Sequence, residues 1–490
     1  MRNFLTANFG HRASLLATSA RCSLTVLAFA ALVPVAQAAQ IITVGPNVNV
    51  SQLLGNQSET SIAINRVNTD LITIGANNLG PGADLFLKYS SNGGATWNTS
   101  SFNPVACCDT WMGADRFGNM YLSYLAGSGS FNTAIARSTD GGASYSVIAN
   151  IAGSSDHPEL AVGPGTLAGT DSIFIRDSTA GNRVISGTAT GLGAASAFTT
   201  QTAGLGSGNF GSTAVGPGGR TIFTSMNPAG GIGPASMTLR YDADGTGPGG
   251  YATQSTITTN VGGFRPITAQ PSRTIDAQVD LEYDSSGGAF NSNLYMLYTQ
   301  AANTTTNDTN IVFRRSTDNG LTFTNELKIN DDVGSMSQFF GRLAVDQKTG
   351  WLASVWYDAR NSAANNTVEL WGSFSFDGGF SWASNFKISD GITSCIASTI
   401  GNDGNECGDY IALDFFDGKL VTSWADSSNS TGNNPNGTRG LDVYFSKVTV
   451  TNAVPAVPEP TTWAFMILGF GLVGMQMRRS TTGKLMHSAI

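Results

Sequence analysis

Seven acidic residues stand where the chain leads into successive short β units: Glu59, Asp109, Asp156, Glu159, Asp276, Asp280 and Asp409. Carboxylates are what glycoside chemistry uses: a pair about 5–9 Å apart can protonate a leaving oxygen and either activate water or attack the sugar. The same side chains also cap turns, and capping alone is the plainer account of the pattern. Glu59, Asp109, Asp156, Asp276, Asp280 and Asp409 are therefore taken as ligand-face candidates. His157, in Asp156-His157-Pro158-Glu159, is the one histidine between residues 39 and 453. Beside two acids it reads as a hydrogen-bonded turn residue rather than a ligand, so no metal site is assigned. Asp242-Ala243-Asp244-Gly245 opens like a calcium loop but lacks the distal Glu. Asp331-Asp332 and Asp403 are no more specific, and calcium is the only cofactor left open. No Gly-x-Ser-x-Gly, phosphate loop or dinucleotide fingerprint occurs in a usable context.

Of five cysteines, Cys22 falls in a leader-like segment, which leaves Cys107, Cys108, Cys395 and Cys407. An even number in an exported chain suggests two disulfides with three possible connectivities. Local pairing, Cys107–Cys108 and Cys395–Cys407, is the preferred arrangement. Pairing across the two loops remains the alternative. A four-thiolate metal site is disfavoured because the spacing is not that of paired CxxC motifs.

What positions these residues is a repeat. Four segments follow S-x-[DN]-x-G-x-[TS]-aromatic: Ser90 to Trp97, Ser138 to Tyr145, Ser316 to Phe323 and Ser375 to Trp382. The motif has the chemistry of a hairpin. Asn92, Asp140, Asp318 and Asp377 can fold back onto turn N–H groups, glycine takes the left-handed position, and the aromatic returns as a packing residue. Each copy closes a four-stranded meander. In the second unit the strands are expected at 111–116, 119–125, 134–138 and 144–148. Units are expected to begin near Glu59, Asp109, Asp156, Phe210, Asp276, Phe339 and Asp409. Asp177 to Gly181 and Tyr241 to Gly245 stand where degenerate copies of the motif are expected in the third and fourth units. The last unit offers strands at 410–415, 419–424 and 441–450, and 41–50 supplies a fourth, so the two ends of the body close a ring. The fold expected is all-β: a β-propeller of four-stranded antiparallel blades, seven in number, with six the rival count. Helix is nearly absent from residues 39–453, and 454–460 turns Pro-rich as a linker.

The four hairpin motifs resemble the Asp-box, or BNR repeat, of sialidase-like β-propellers. Ser58-Glu59-Thr60-Ser61-Ile62-Ala63, Cys107-Cys108-Asp109, Val355-Trp356-Tyr357-Asp358-Ala359-Arg360 and Gly408-Asp409-Tyr410-Ile411 extend the likeness over most of 57–450. In sialidases an Arg triad grips the substrate carboxylate, a Glu-activated Tyr is the nucleophile and an Asp is acid/base. The resemblance makes Arg265, Arg342 and Arg360 the triad candidates, with Tyr410, Glu159 and Asp109 beside them. The first blade departs from the family's F/Y-R-I-P motif, having Ser58-Glu59-Thr60 there, while Phe264-Arg265-Pro266-Ile267 is a scrambled version mid-chain. That departure favours binding without catalysis, with a sialidase-type hydrolase of acidic sugars as the alternative.

The two ends read as addresses. Residues 1–38 have a basic start (Arg2, His11, Arg12, Arg21), an apolar stretch over 24–35 and Ala36-Gln37-Ala38 as a cleavage site, the pattern of a secretory signal. Near the other end Pro458-Glu459-Pro460 precedes an apolar run over 461–477 and then Arg478-Arg479. As a helix that run is about 25 Å long, enough for a thin bilayer. The Arg pair would stay cytoplasmic and leave the body outside. The arrangement looks like the PEP-CTERM sorting signal of Gram-negative, exopolysaccharide-forming bacteria. It implies an exosortase as partner, a membrane helix with basic stop over 461–479 before processing, a short tail over 480–490, and delivery to the envelope or matrix. Composition agrees with an exported globular body. Charged residues are 12% and apolar ones 41% of 490, which excludes a disordered chain. A net charge of −8 offers phosphates no attraction, so nucleic acid is not an expected partner, whereas polysaccharide or glycan is.

Overall fold

Short runs of β-branched and aromatic residues, each ended by Gly, Asp or Asn, form antiparallel strands throughout the chain. The computed structural model describes residues 39–452, apart from 81–83, 128–130, 154–155, 179–180, 203, 246–249 and 398–404. The expected signal peptide, the linker with Pro458, Glu459 and Pro460, the sorting helix, the tail and Asp403 lie outside the described residues. Among the described residues helix is confined to three short 3-10 turns, and none is long and apolar enough to cross a membrane.

The body is a seven-bladed propeller. The innermost strands of blades 1 to 7 are Gln57–Ile64, Ala106–Ala114, Glu159–Pro164, Thr213–Val215, Asp280–Tyr283, Gln338–Val345 and Ala412–Phe416. Residues of all seven line an axial cavity of about 150 Å³. Blade 7 closes the ring. Its outer strand is Gln40–Val44, paired with Asp442–Asn452 so that Ile42 faces Val450, and Val48–Asn49 extends the same pairing. That joins the start of the propeller to its end and removes an exposed sheet edge. In blade 2 the strands are Ala106–Ala114, Met120–Ala126, Asn132–Ser138 and Ser146–Ile151. The first strand lies upstream of the expected 111–116. Asp115 ends it by accepting the N–H groups of Phe117 and Asn119, and the Cys107–Cys108 segment belongs to the strand.

The four hairpins share one set of backbone hydrogen bonds. In blade 2, Gly142 N–H donates to Ser138 Oγ (2.8 Å), Ser144 N–H to Asp140 Oδ1 (3.0 Å) and Ser144 O–H to Asp140 Oδ2 (2.6 Å). Asn92, Asp318 and Asp377 accept the equivalent backbone bonds in blades 1, 5 and 6. The motif also docks each blade on its predecessor. Trp97 of blade 1 meets Phe445 of blade 7 edge-on at 5.1 Å, and Trp382 of blade 6 meets Phe313 of blade 5 at 5.2 Å. The motif's second glycine sits in the same seam. A Cβ on Gly142 would lie 2.1 Å from Thr73 Cγ2 of blade 1, and one on Gly379 would lie 2.4 Å from the Phe313 ring. Tyr241 to Gly245 of blade 4 occupies the equivalent position after the third strand. Asp177 does not. It lies just inside the end of the second strand of blade 3, Asp171–Ser178, and pairs with Arg183 at 2.6 Å, so the expected degenerate copy there is one hairpin out of place.

Both seam glycines also have positive φ, +97° at Gly142 and +81° at Gly379. Gly142→Ala and Gly379→Ala are expected to destabilise the protein by about 1–3 kcal/mol or more through overpacking added to strain. Gly169 has φ +78° but nothing within 4 Å of its Cβ position, so Gly169→Ala should cost about 1 kcal/mol, from strain alone. Urea denaturation of the three variants checks this; equal losses would show that the seam contact does not matter.

Candidate functional site

Each inner strand starts through a backbone turn that L-residues rarely adopt. Glu59, Asp109, His157, Phe210, Gln278 and Phe340 have φ of +41° to +57° at the head of blades 1 to 6, and Gly408 has +79° ahead of blade 7. Each left-handed L-residue costs about 1–2 kcal/mol. In blades 1, 2 and 6 the turn is a bulge, with the ladder slipping between Ser58 and Ser61, Cys108 and Trp111, and Phe339 and Arg342. Bulges re-aim side chains. Here they bring residues far apart in sequence to one end of the channel.

That end is a pocket of carboxylates. Glu59, Asp109, Asp276 and Tyr410 are buried, and Asp156, His157 and Asp409 are partly so. A hairpin inserted between blades 4 and 5, Arg265–Ile267 and Gln270–Ile275, carries Arg273 to the pocket. Arg273 forms a fork on Asp409: Nε donates to Oδ1 at 2.8 Å and Nη2 to Oδ2. Nη2 also lies 3.1 Å from Glu59 Oε1. The backbone N–H groups of Ser272 and Arg273 donate to Glu406, and Gln270 donates to Gly408 O at 2.8 Å. The Cys395–Cys407 disulfide fastens the loop that supplies these acceptors. Asn77 donates to Glu59 Oε2 and accepts the Asp109 N–H at 2.8 Å. Asp109 Oδ2 in turn accepts the His157 N–H at 3.2 Å. Gly408 packs so close to Glu59 that a Cβ there would lie 2.5 Å from Glu59 Cγ. The Cys107–Cys108 disulfide stands immediately before Asp109. Both local pairings are thus present.

Burial and crowding set the protonation states. Glu59 is pushed up to about 8 by burial and then by Asp409 and Asp109. Burial lifts Asp276 to about 7 and Asp109 to about 6. Burial works against protonated His157, but Asp109, Asp156, Asp409 and Asp276 outweigh it and lift the imidazole to about 9. Tyr410 is raised well above the usual phenol range by burial, and then by Asp109, Glu59, Asp409 and Asp156. Its hydroxyl is buried without a hydrogen-bond partner.

Deeper in the channel lies a second polar group. Arg342 Nε is 3.2 Å from Asp280, and Nη1 is 3.9 Å from Glu159. Its guanidinium covers the Trp111 ring at 4.9 Å, and Trp111 stacks on Tyr410 with centroids 4.7 Å apart. Burial pushes Glu159 up to about 8, only partly opposed by Arg342.

The three triad candidates do not converge. Arg342 is in the channel. Arg265 ties loops together, donating to the carbonyls of Asn260 (2.8 Å), Asn303 (3.1 Å) and Thr306. Arg360 binds Asp331 and Asp358, each at 2.8 Å, and lies over Trp371 of blade 6. Of the ligand-face candidates, Glu59, Asp109, Asp156, Asp276 and Asp409 gather at the channel end, while Asp280 sits with Glu159 below. Tyr410 lies between them, stacked on Trp111 under Arg342 and with its ring 6.0 Å from the His157 ring. Arg273 and Asn77 belong to the site without standing in any motif of the sequence. The chain between Thr259 and Asp280 exceeds what joins two blades, and that surplus was the available signal for the hairpin.

Residues 456–480 match the PEP-CTERM protein-sorting motif, which indicates exosortase-dependent sorting and export in Gram-negative bacteria. No curated protein matches the chain. Similar solved structures include a protein of unknown function from Dyadobacter fermentans, with 11% identity, TM-score 0.46, and 84% of this chain and 99% of that chain covered. The endosialidase of phage phi92 has 11% identity and TM-score 0.45, with 85% and 70% covered. A lectin from Burkholderia pseudomallei has 11% identity and TM-score 0.43, with 67% and 84% covered.

The raised acids fix the sign of the pH dependence. The folded state keeps protons on Glu59 and Glu159 that the unfolded chain releases near its ordinary value of 4.5. Their contribution is therefore fully present below about pH 4.5 and is lost as pH rises through about 8. Histidine 157, raised to about 9, acts in the same direction. The melting temperature is expected to fall from pH 5 to pH 8, and Glu159→Gln, which cannot ionise, should flatten that slope. A profile that is flat, or rises, in the wild-type protein would contradict these assignments.

Proposed function

We propose that this is an exported, exosortase-sorted propeller of the cell envelope or extracellular matrix. It binds a glycan or protein ligand at the end of the channel where the carboxylates gather, and it does so without catalysis. Residues 1–38 act as the leader. The helix over 461–479 holds the chain in the membrane until the exosortase acts near Pro458-Glu459-Pro460.

The observation that carries the binding reading is the charge of the pocket. Among the described residues, five carboxylates face one guanidinium and one imidazole, and the guanidinium is already committed to Asp409 and Glu59. An acidic sugar needs free, bidentate arginines, and among the described residues the pocket offers it none. Neutral or amine-bearing ligands fit better. Phe264, 52% exposed, lies against Phe210, which in turn meets the His157 ring, so the rim presents an aromatic face beside polar groups. Apolar rings with a few placed polar groups are the usual lining of small-ligand sites. One observation favours the rival, a glycoside hydrolase. Glu59, raised to about 8, keeps its proton at neutral pH, as a general acid must.

A glycan array probed with the full chain separates the two. The binding reading expects retention of neutral or amino glycans and a loss of about tenfold in affinity for Phe264→Ala, the scale of one aromatic anchor. It also expects no turnover of a fluorogenic sialoside or of the bound glycan. Turnover that disappears in Glu59→Gln would establish the rival, and an array without hits would count against both.

A further inference from the structure

Along the chain only Asp156 and Glu159 lie near His157, which gives it the look of a turn residue. The ring of blades adds a third neighbour, Asp109, from the innermost strand of blade 2. One carboxylate oxygen of Asp109, one of Asp156 and one imidazole nitrogen of His157 lie within 4.8 Å of one another. Ligand atoms around one tetrahedral ion at Zn–O and Zn–N lengths are about 3.4 Å apart, so rotamer changes must draw the three together by up to about 1.4 Å. A second observation comes from a different blade. Tyr410, 2% exposed, has a buried hydroxyl without any hydrogen-bond partner. The charges of Asp109, Glu59, Asp409 and Asp156 act on that hydroxyl, and its ring lies 6.0 Å from the imidazole. A buried phenol left unpaired costs free energy, and a bound group would supply its partner.

We propose that Asp109, Asp156 and His157, with the Tyr410 hydroxyl beside them, bind one divalent transition cation, Zn²⁺ or Mn²⁺. The donor set decides the class. An imidazole with carboxylates suits zinc or manganese, whereas calcium prefers six to eight oxygens. Asp409 and Glu59 stand in the second layer, and among the described residues their partner Arg273 is the cation that the bound ion must tolerate. The ion would hold blade 2, the loop before blade 3 and Tyr410 of blade 7 together at the channel end. The site does not depend on which ligand the face binds.

The test uses the full chain, produced with its own leader in a Gram-negative host, stripped with chelator and titrated calorimetrically with zinc, manganese and calcium chlorides. The expected result is one equivalent of zinc or manganese bound in preference to calcium, with a raised melting temperature. Asp156→Asn should weaken binding about 10- to 100-fold, and Tyr410→Phe, which keeps the stack on Trp111, should weaken it measurably. Asp280→Asn, in the deeper channel group, should leave it unchanged. Asp109→Asn removes a buried hydrogen-bonded group; if it fails to fold, partly exposed Asp156 carries the test alone. No uptake, equal uptake by wild type and Asp156→Asn, or preference for calcium would each overturn the proposal.

Discussion

Five carboxylates converge at one end of this propeller, and like charges brought together under burial must be neutralised or protonated. Both remedies are present. Arg273 forks onto Asp409 and reaches Glu59, and protonated His157 lies among Asp109, Asp156, Asp409 and Asp276. The rest of the charge is reduced by protons that Glu59 and Asp276 keep to higher pH than usual. The hairpin that brings Arg273 therefore has an electrostatic reason to lie across the ring. Glu406 fixes its backbone and Gly408 O holds the Gln270 side chain, and the Cys395–Cys407 bond fixes the loop that carries them. Charge pairing, hairpin placement and the disulfide form one mechanical unit at the face proposed to bind ligand.

The convergence itself comes from the backbone. Six L-residues and one glycine in the left-handed region head the seven inner strands, and Glu59, Asp109 and His157 are three of them. Strain of this kind persists where the surroundings over-determine it. Here the surroundings are the neighbouring blades, locked by hairpin glycines too close to the preceding blade to carry a side chain. Closure of blade 7 by Gln40–Val44 completes the ring and fixes the diameter across which the acids meet.

This division explains what the sequence could and could not reveal. Hairpin chemistry is local: Ser138, Asp140, Gly142 and Ser144 bond to one another within seven residues, so the repeat, the blade count and the strand heads near Glu59, Asp109, Asp156, Phe210, Asp276, Phe339 and Asp409 were legible. The same locality misled at Asp177, which has a turn-like composition but serves an ion pair with Arg183. Site chemistry is not local. Arg273 meets Asp409 and Glu59 from 136 and 214 residues away, and Asp109 meets His157 from 48. Nothing in the spacing of Arg265, Arg342 and Arg360 distinguishes a loop pin, a channel ion pair and an outer-blade ion pair from a triad. Only the ring geometry does that.

Arg273 holds the carboxylate face together, and a double-mutant cycle measures that coupling directly. Unfolding free energies of wild type, Arg273→Ala, Asp409→Ala and the double variant give the coupling between the two side chains. Contacting charged partners in one network are expected to couple by about 1–3 kcal/mol. Losses that simply add, to within about 0.3–0.5 kcal/mol, would mean that the guanidinium does not bind the ring and that the face is not assembled as described.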